Sequence, residues 1–297
     1  MGLVLMTIII GFAFIFIKFA LQSAGALDVL AHRFLTAAVA LIIYYVLSRR
    51  KWPKFKREDL PSLFMMALFY SILLFSFQTI GLKYTTASEA GILTATAPII
   101  ILILASLILK EKNNIWQILS VLLSVFGVLY ILYKTGLGAV SKESLKGDFF
   151  ILLSVFSMAF YFIVGRRLNR KVDSMDITLF MSITAAIAFN IAAVGKHIYS
   201  GTLSAYFAPY SNSSFLWSIL YLGVLSTFLT SFLTNNALRV IPASQVAIFN
   251  NLSPVIAVLA GVVILNEQLH GFHIIGGVMV LIGILGVNLL KSKPVPE

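Results

Sequence analysis

The sequence predicts an all-α membrane protein of ten transmembrane helices in two inverted five-helix repeats. Three observations predict it. Of 297 residues, 60% are hydrophobic and 11% charged, against about 45–50% and about 25% in soluble domains. The apolar residues fall in ten runs of helical length, and the third to fifth runs match the eighth to tenth at a constant offset. The composition excludes a soluble globular domain and a disordered chain. A single-pass anchor is excluded too, because the apolar excess runs through the whole sequence.

The runs lie at about 3–22, 29–48, 60–82, 87–109, 115–133, 149–165, 177–195, 214–238, 242–265 and 271–290. A spanning helix needs roughly 20 apolar residues, so each run suffices. The runs are continuous, without the ten-residue alternation of a barrel strand, and this selects helices. The first run, rich in Ile and Phe, has no charged segment before it, so no cleavable signal peptide is expected. Met6 stands where myristoylation needs Ser or Thr, and a chain without Cys offers no prenylation site, disulfide or thiolate metal site.

The connections give the direction of insertion. With the N-terminus in the cytoplasm, the inside loops hold 15 basic residues and the outside loops 5, while Lys18 and Arg33 lie within spans. The positive-inside rule therefore places both termini in the cytoplasm. The net charge of +11 is read as orientation and phospholipid contact through the loops 49–57 and 166–171, without a nucleic-acid partner.

At an offset of 156, Leu82 falls on Leu238, Ala87 on Ala243, Ser88 on Ser244 and Ile92 on Ile248. Pro98 falls on Pro254, Glu111 on Glu267, Gly127 on Gly283 and Leu129 on Leu285. Apolar bias matches Leu and Ile freely, but it does not place Pro, Glu and Gly in register. The repeats are 1–140 and 141–297. Each holds five spans, an odd number, so the second enters upside down, and the charge bias reverses accordingly. The 49–57 loop carries six basic residues where its counterpart near 195–213 carries only Lys196. Inverted repeats suit alternating access about a midplane site.

The stretches LKYTTASEAGILTATAPIIILILASLILKEK and LRVIPASQVAIFNNLSPVIAVLAGVVILNEQL, each followed by a glycine-bearing span, carry a resemblance. So does GDFFILLSVFSMAFYFIVGRRL at the start of the second repeat. The chain resembles the EamA-domain family of the drug/metabolite transporter superfamily over nearly its whole length. The resemblance implies a multi-pass transporter of a bacterial-type cytoplasmic (inner) membrane, with a central cavity between the halves, that exports or sometimes imports small metabolites such as amino acids. The first span departs from the family, reading Ile10-Gly11-Phe12-Ala13 where Trp-Gly-Ser-Asn is common, although Lys18 is retained.

Candidate site residues follow from polar groups inside spans. Pro98 and Pro254 each remove a helix hydrogen bond, freeing the carbonyls of Thr94 and Asn250. With Thr96 and Asn251 beside them, these carbonyls either bind substrate near the midplane or satisfy one another. Lys18 either snorkels outward or meets a substrate carboxylate. Arg33, His32 and Glu89 stand near outer helix ends. Thr86-x-x-Glu89 fits a capping box, and the alternative pairs Glu89 with Lys18 or Arg33 as an outer gate or protonation site. The rows Tyr70, Ser71, Gln78 and Ser226, Thr227, Thr230, Asn235, Asn236 either line a cavity or bond neighbouring helices. Substrate binding is thus expected at Lys18, Tyr70, Gln78, Thr94, Ser226, Thr230, Asn250 and Asn251, and gating or coupling at Arg33, Glu89, Pro98 and Pro254. Ser120, Ser124 and Gly127, with Gly276 and Gly283, read as close helix packing, or less readily as a dimer contact. His270 and His273 lack a third metal ligand, and Asn212-Ser-Ser214 matches a glycosylation sequon.

These features predict a secondary transporter of carboxylate-bearing or zwitterionic metabolites, needing no cofactor and working as a monomer or homodimer. A phosphate-binding Gly-x4-Gly-Lys-[Ser/Thr] loop is absent, which argues against direct ATP drive by this chain. An exporter of organic cations is the alternative. A channel does not need duplicated halves. An intramembrane enzyme needs a nucleophile–base pair or metal ligands at depth, and the sequence has no His-Glu-x-x-His or Gly-x-Ser-x-Gly.

Overall fold

A computed structural model describes residues 2–97, 99–101, 103–104, 115–134, 142–240 and 252–289. The helices are α1 (Gly2–Leu21), α2 (Ala26–Leu47), α3 (Leu60–Met66), α4 (Phe75–Tyr84), α5 (Ala87–Thr94) and α6 (Ile115–Lys134). They continue as α7 (Lys142–Leu168), α8 (Ser174–Tyr199), α9 (Ser213–Leu220), α10 (Thr230–Val240), α11 (Leu252–Leu265) and α12 (Gly271–Leu289). Two π-helical segments, Ala67–Leu74 and Tyr221–Leu229, join α3 to α4 and α9 to α10 without a break. Among the described residues there is no strand.

Among the described residues, six helical stretches are long and apolar enough to cross a bilayer: 2–21, 26–47, 60–84, 143–165, 174–199 and 213–240. Four shorter apolar stretches, 87–101, 118–131, 253–265 and 271–283, fall within the remaining predicted runs. Val46, Phe126, Ile191 and Val263 are exposed at the perimeter, which suits a lipid surround and would be unfavourable in water. Polar side chains turn inward instead, so that Ser226, Thr227, Thr230 and Asn235 are all buried.

Helices pack closely where small residues face each other. α12 lies along α6, and α11 lies against both α1 and α5. A Cβ on Gly127 would stand 2.7 Å from the Gly276 carbonyl oxygen, and one on Gly283 would stand 2.6 Å from that of Ser120. The small residues of both helices therefore form one seam inside the chain. Gly223, in the second π segment, plays the same part against α2. A Cβ there would lie 2.7 Å from Thr36 and 2.9 Å from the Arg33 carbonyl.

The two ends of the bundle are tied differently. At the end bearing the basic loops, Tyr45 donates to Asp176, and Arg50 and Arg239 pair with Asp173. At the opposite end, the segment 200–212 folds back over α2, and the His32 ring nests among Tyr206, Phe207, Tyr210 and Phe215. Tyr206 donates to Asn190, and burial pushes its phenol up to about 12, so it remains a neutral donor. Asp28 beside it accepts from Lys196 at 3.3 Å and faces His197 at 3.2 Å.

The seam yields a paired test. Gly127→Ala places a methyl against a backbone oxygen that cannot retreat, and should lower stability by about 1–3 kcal/mol. Gly195→Ala, in α8 with nothing within 4 Å of the added carbon, should be neutral or gain up to about 1 kcal/mol in helix propensity. Thermal unfolding of the two variants in detergent checks the contrast.

Candidate functional site

A cavity opens near the middle of the bundle. Its wall takes Ile10, Ala13 and Phe14 from α1, Tyr70 and Leu74 from the first π segment, and Phe75 and Gln78 from α4. Thr94 and Ala97 line it beside Ser154, Val155, Met158 and Phe162 from α7. Ser226 of the second π segment, Thr230 and Thr234 of α10, and Ser253 of α11 complete the wall. Hydroxyls and one amide alternate with aliphatic and aromatic surface, and none of these residues is charged.

Two backbone features shape this wall. The π segments are the first: each takes one extra residue per turn, which widens the helix locally and re-aims its side chains. Tyr70, Leu74 and Ser226 all project from them into the cavity. The Tyr70 hydroxyl is in bonding reach of Ser231 and Thr230, and the Thr230 hydroxyl donates to the Ser226 carbonyl at 2.6 Å. The second feature is the end of α5. Its bonding tightens after Thr94, with the Thr96 amide donating to the Leu93 carbonyl at 3.1 Å and the Thr96 hydroxyl to the same oxygen at 2.7 Å. Thr94 itself donates to the Ala90 carbonyl at 2.7 Å.

Arg33 stands behind the Ser226 and Phe75 wall and is 0% exposed. Its Nε donates to Thr227 Oγ1 at 2.7 Å and one terminal nitrogen to Ser226 Oγ at 3.0 Å. The guanidinium lies 4.1 Å from the centroid of the Phe75 ring. Among the described residues no carboxylate pairs with it, and its second terminal nitrogen has no hydrogen-bond partner. The full charge is held by neutral dipoles and one aromatic face.

A second polar cluster lies toward the end opposite the basic loops. Thr85 Oγ1 is 2.8 Å from Glu89 Oε2 and 2.8 Å from Asp148 Oδ1, and Ser144 donates to Glu89 Oε2 at 2.9 Å. His273 Nε2 is 3.4 Å from Glu89 Oε1. Lys18 donates to the Thr85 carbonyl and lies in the field of Glu267 and Glu89. Glu267, from the α11–α12 connection, accepts from the amides of Ala87 and Ser88 at 2.8 Å each and from the Ser88 hydroxyl at 2.7 Å. It thereby satisfies the donors that open α5. The expected capping box is half formed: Thr86 accepts from the Glu89 amide at 3.0 Å, while the Glu89 side chain turns inward to Thr85, Ser144 and His273.

The residues singled out from sequence thus separate into groups. Tyr70, Gln78, Thr94, Ser226 and Thr230 share the cavity wall, and Arg33 stands behind it. Lys18 and Glu89 belong to the second cluster, so Glu89 and Arg33 are not brought together. Pro254 lies in α11 and presents its carbonyl to Gly91 of α5, where a Cβ would lie 3.1 Å away. Asn235 accepts from Tyr161 and donates to Thr178, which is interhelical bonding. Pro98, Asn250 and Asn251 lie outside the described residues. Sequence reasoning missed Asp148, Thr85, Ser144, Glu267 and His273 as one cluster, and it missed both π segments. Asp148 stood just before the predicted span at 149, and no local pattern signals a contact 63 residues away.

The EamA-like transporter family matches this chain over residues 1–133 and 145–289. The uncharacterized transporter YcxC of Bacillus subtilis is 39% identical over 98% of this chain and 92% of that protein. YetK of the same organism, also an uncharacterized transporter, is 30% identical over 88% of this chain and 78% of that protein. An uncharacterized transporter of Archaeoglobus fulgidus is 29% identical over 95% and 93%. One solved crystal structure superposes with a TM-score of 0.62 over 96% of this chain and 99% of the other, at 17% identity, which bears on the fold alone.

Glu267 gives the test of this geometry. Glu267→Ala leaves two buried amides without an acceptor and should cost about 1–3 kcal/mol. Glu267→Gln keeps one acceptor oxygen and should cost less. Comparing the thermal unfolding of both variants with the parent protein measures the difference.

Proposed function

The chain belongs to the EamA-like transporter family, multi-pass membrane transporters, and we propose that it moves small carboxylate-bearing or zwitterionic metabolites across the cytoplasmic membrane as a secondary transporter. The observation that carries this reading is the mid-bundle cavity with a buried cation behind its wall that no carboxylate among the described residues pairs with. A guanidinium without a carboxylate draws an anion toward Ser226 and Phe75, and the alternating hydroxyl and apolar lining suits an amino-acid-sized compound. Tyr70, Gln78, Thr94, Ser226 and Thr230 are the contacts in this reading. Arg33 acts through Ser226, whose hydroxyl it fixes as an acceptor and whose proton it leaves free for substrate.

Alternating access by two inverted five-helix repeats, 1–140 and 141–297, is part of the same proposal. The offset of 156 carries the first π segment, 67–74, onto 223–230, which overlaps the second at Tyr221–Leu229. It also carries α6, 115–134, onto 271–290, beside α12 at Gly271–Leu289. The family match falls into two stretches with a boundary near 140. With the basic loops in the cytoplasm, the Glu89 cluster faces outward and both termini face inward. Export is the direction adopted.

A thermal-shift screen of the purified protein, with amino acids, other carboxylates and organic cations, tests the substrate class. A ligand of the folded state at roughly 100 times its dissociation constant adds about 2.7 kcal/mol. Carboxylates should give the shift and Arg33→Met should abolish it, whereas Arg33→Lys should retain only part, since an ammonium cannot hold Ser226 and Thr227 in a fork. A shift with organic cations alone would reverse the carboxylate assignment.

A further inference from the structure

The Glu89 cluster fixes a proton count. Thr85 Oγ1 carries one hydrogen, yet it stands at 2.8 Å from an oxygen of each of two carboxyl groups. Two ionised carboxylates accept only, so one of these contacts has no proton unless a carboxyl supplies it. Asp148 also lies in side-chain hydrogen-bonding reach of Glu89, and a bond between two carboxyls exists only with a proton between them. Both groups are buried, Glu89 at 1% and Asp148 at 0% exposure.

The surroundings say which carboxyl holds the proton. Glu89 accepts from Thr85 and from the Ser144 hydroxyl at 2.9 Å, and His273 Nε2 stands 3.4 Å from its other oxygen. The His270 amide donates to His273 Nδ1 at 3.3 Å, which leaves the hydrogen of the neutral ring on Nε2, toward Glu89. For Asp148 Oδ2, by contrast, no hydrogen-bond partner is present among the described residues. With Glu89 ionised and the one Thr85 hydroxyl donated to it, a second anion here would be uncompensated, while an acid is not. The bond order is therefore Asp148 to Thr85 to Glu89, each donating to the next.

We infer that Glu89 and Asp148 hold one proton between them through Thr85, and that this pair is a proton-binding site of the transporter. Lys18 from α1, His273 from α12, and His270 and Glu267 from the α11–α12 connection face it. Glu143, Lys83 and Lys146 are exposed on its own elements. When the proton leaves, the Asp148 O–H bond breaks and the proton passes to water. Two anions then share one hydroxyl, and their repulsion acts between the α4–α5 turn, α5 and α7 at the outer end. Glu89 is five residues from cavity-lining Thr94, and Asp148 is six from Ser154, or about 7.5 and 9 Å along their helices. The link to transport rests on the transporter reading, whereas the shared proton does not.

Infrared spectra of the full-length protein in lipid vesicles read the proton without any transported compound, so failure here is separate from failure of the substrate reading. The parent protein at neutral pH should show the carbonyl stretch of an un-ionised carboxylic acid. Both Asp148→Asn and Glu89→Gln should lose it, because each leaves one carboxylate for one hydroxyl. Glu267→Gln should keep it. The Asn amide can donate to Thr85 as the acid does, which favours folding, and Glu89→Gln reads the same site if that variant fails. Absence of the band from the parent, or its survival in both variants, overturns the inference. Loss in Asp148→Asn alone makes the acid independent of Glu89, loss in Glu89→Gln alone places it on Glu89, and either overturns the sharing. As a second readout, the folding constant of the parent should fall by up to about tenfold per pH unit as the pair titrates. Asp148→Asn should remove that slope, and an unchanged slope counts against the site.

Discussion

Every polar group inside this bundle must find its partner within the protein, because the hydrocarbon around it offers none. That constraint explains features that would be minor in water. Thr7, Thr94, Ser157, Thr178, Ser218 and Thr230 each return their hydroxyl to the carbonyl four residues earlier. The start of α5 borrows a carboxylate from the α11–α12 connection. Tyr221 reaches across to the Ile9 carbonyl at 2.9 Å. Among the buried side-chain atoms left without a hydrogen-bond partner are one nitrogen of Arg33 and one oxygen of Asp148, the two groups on which the proposals above turn.

The arrangement of apolar runs was legible because lipid demands length and continuity, and both are local properties of sequence. Boundaries near loops were legible for the same reason, as with α2 at Ala26–Leu47 against a run at 29–48. The π segments were not. Nothing in ALFYSILL or YLGVLSTFL distinguishes a π turn from an α turn, since neither holds a proline and a lone Gly in the second is common in membrane helices, and the extra residue is accommodated by packing against α7 and α2. Gly223 shows the dependence: its missing Cβ admits Thr36, and that close approach positions the Arg33 side chain beside Ser226 and Thr227.

The cavity wall was partly legible for a different reason. Polar residues at helical spacing in an apolar run must face inward, so Tyr70, Gln78, Ser226 and Thr230 could be grouped from sequence alone. Pairings across the chain could not. Lys18 read as a cation awaiting a substrate, yet its partner is the Thr85 carbonyl, 67 residues away. Glu89 read as half of a capping box because Thr86 precedes it by three. The competing partners, Ser144 and His273, lie 55 and 184 residues further on. His273 in turn read as half of a weak metal pair with His270, and it is instead the group that presents an N–H to Glu89.

The two ends of the molecule differ in how firmly they are closed. At the basic end the ties are ion pairs whose side chains are 35% and 39% exposed for Arg50 and Asp173. Such pairs contribute about 0–1 kcal/mol each and weaken in salt. At the other end α1, the α4–α5 turn, α7 and α12 meet through buried carboxyl and hydroxyl groups and the half-buried Lys18 ammonium. Breaking one member there strands the others, which raises the cost well above that of an exposed pair. A molecule built this way separates more readily at its basic end. Opening the other end requires a change in the buried charges themselves, and loss of the proton held by the Glu89–Asp148 pair is the smallest such change available to it.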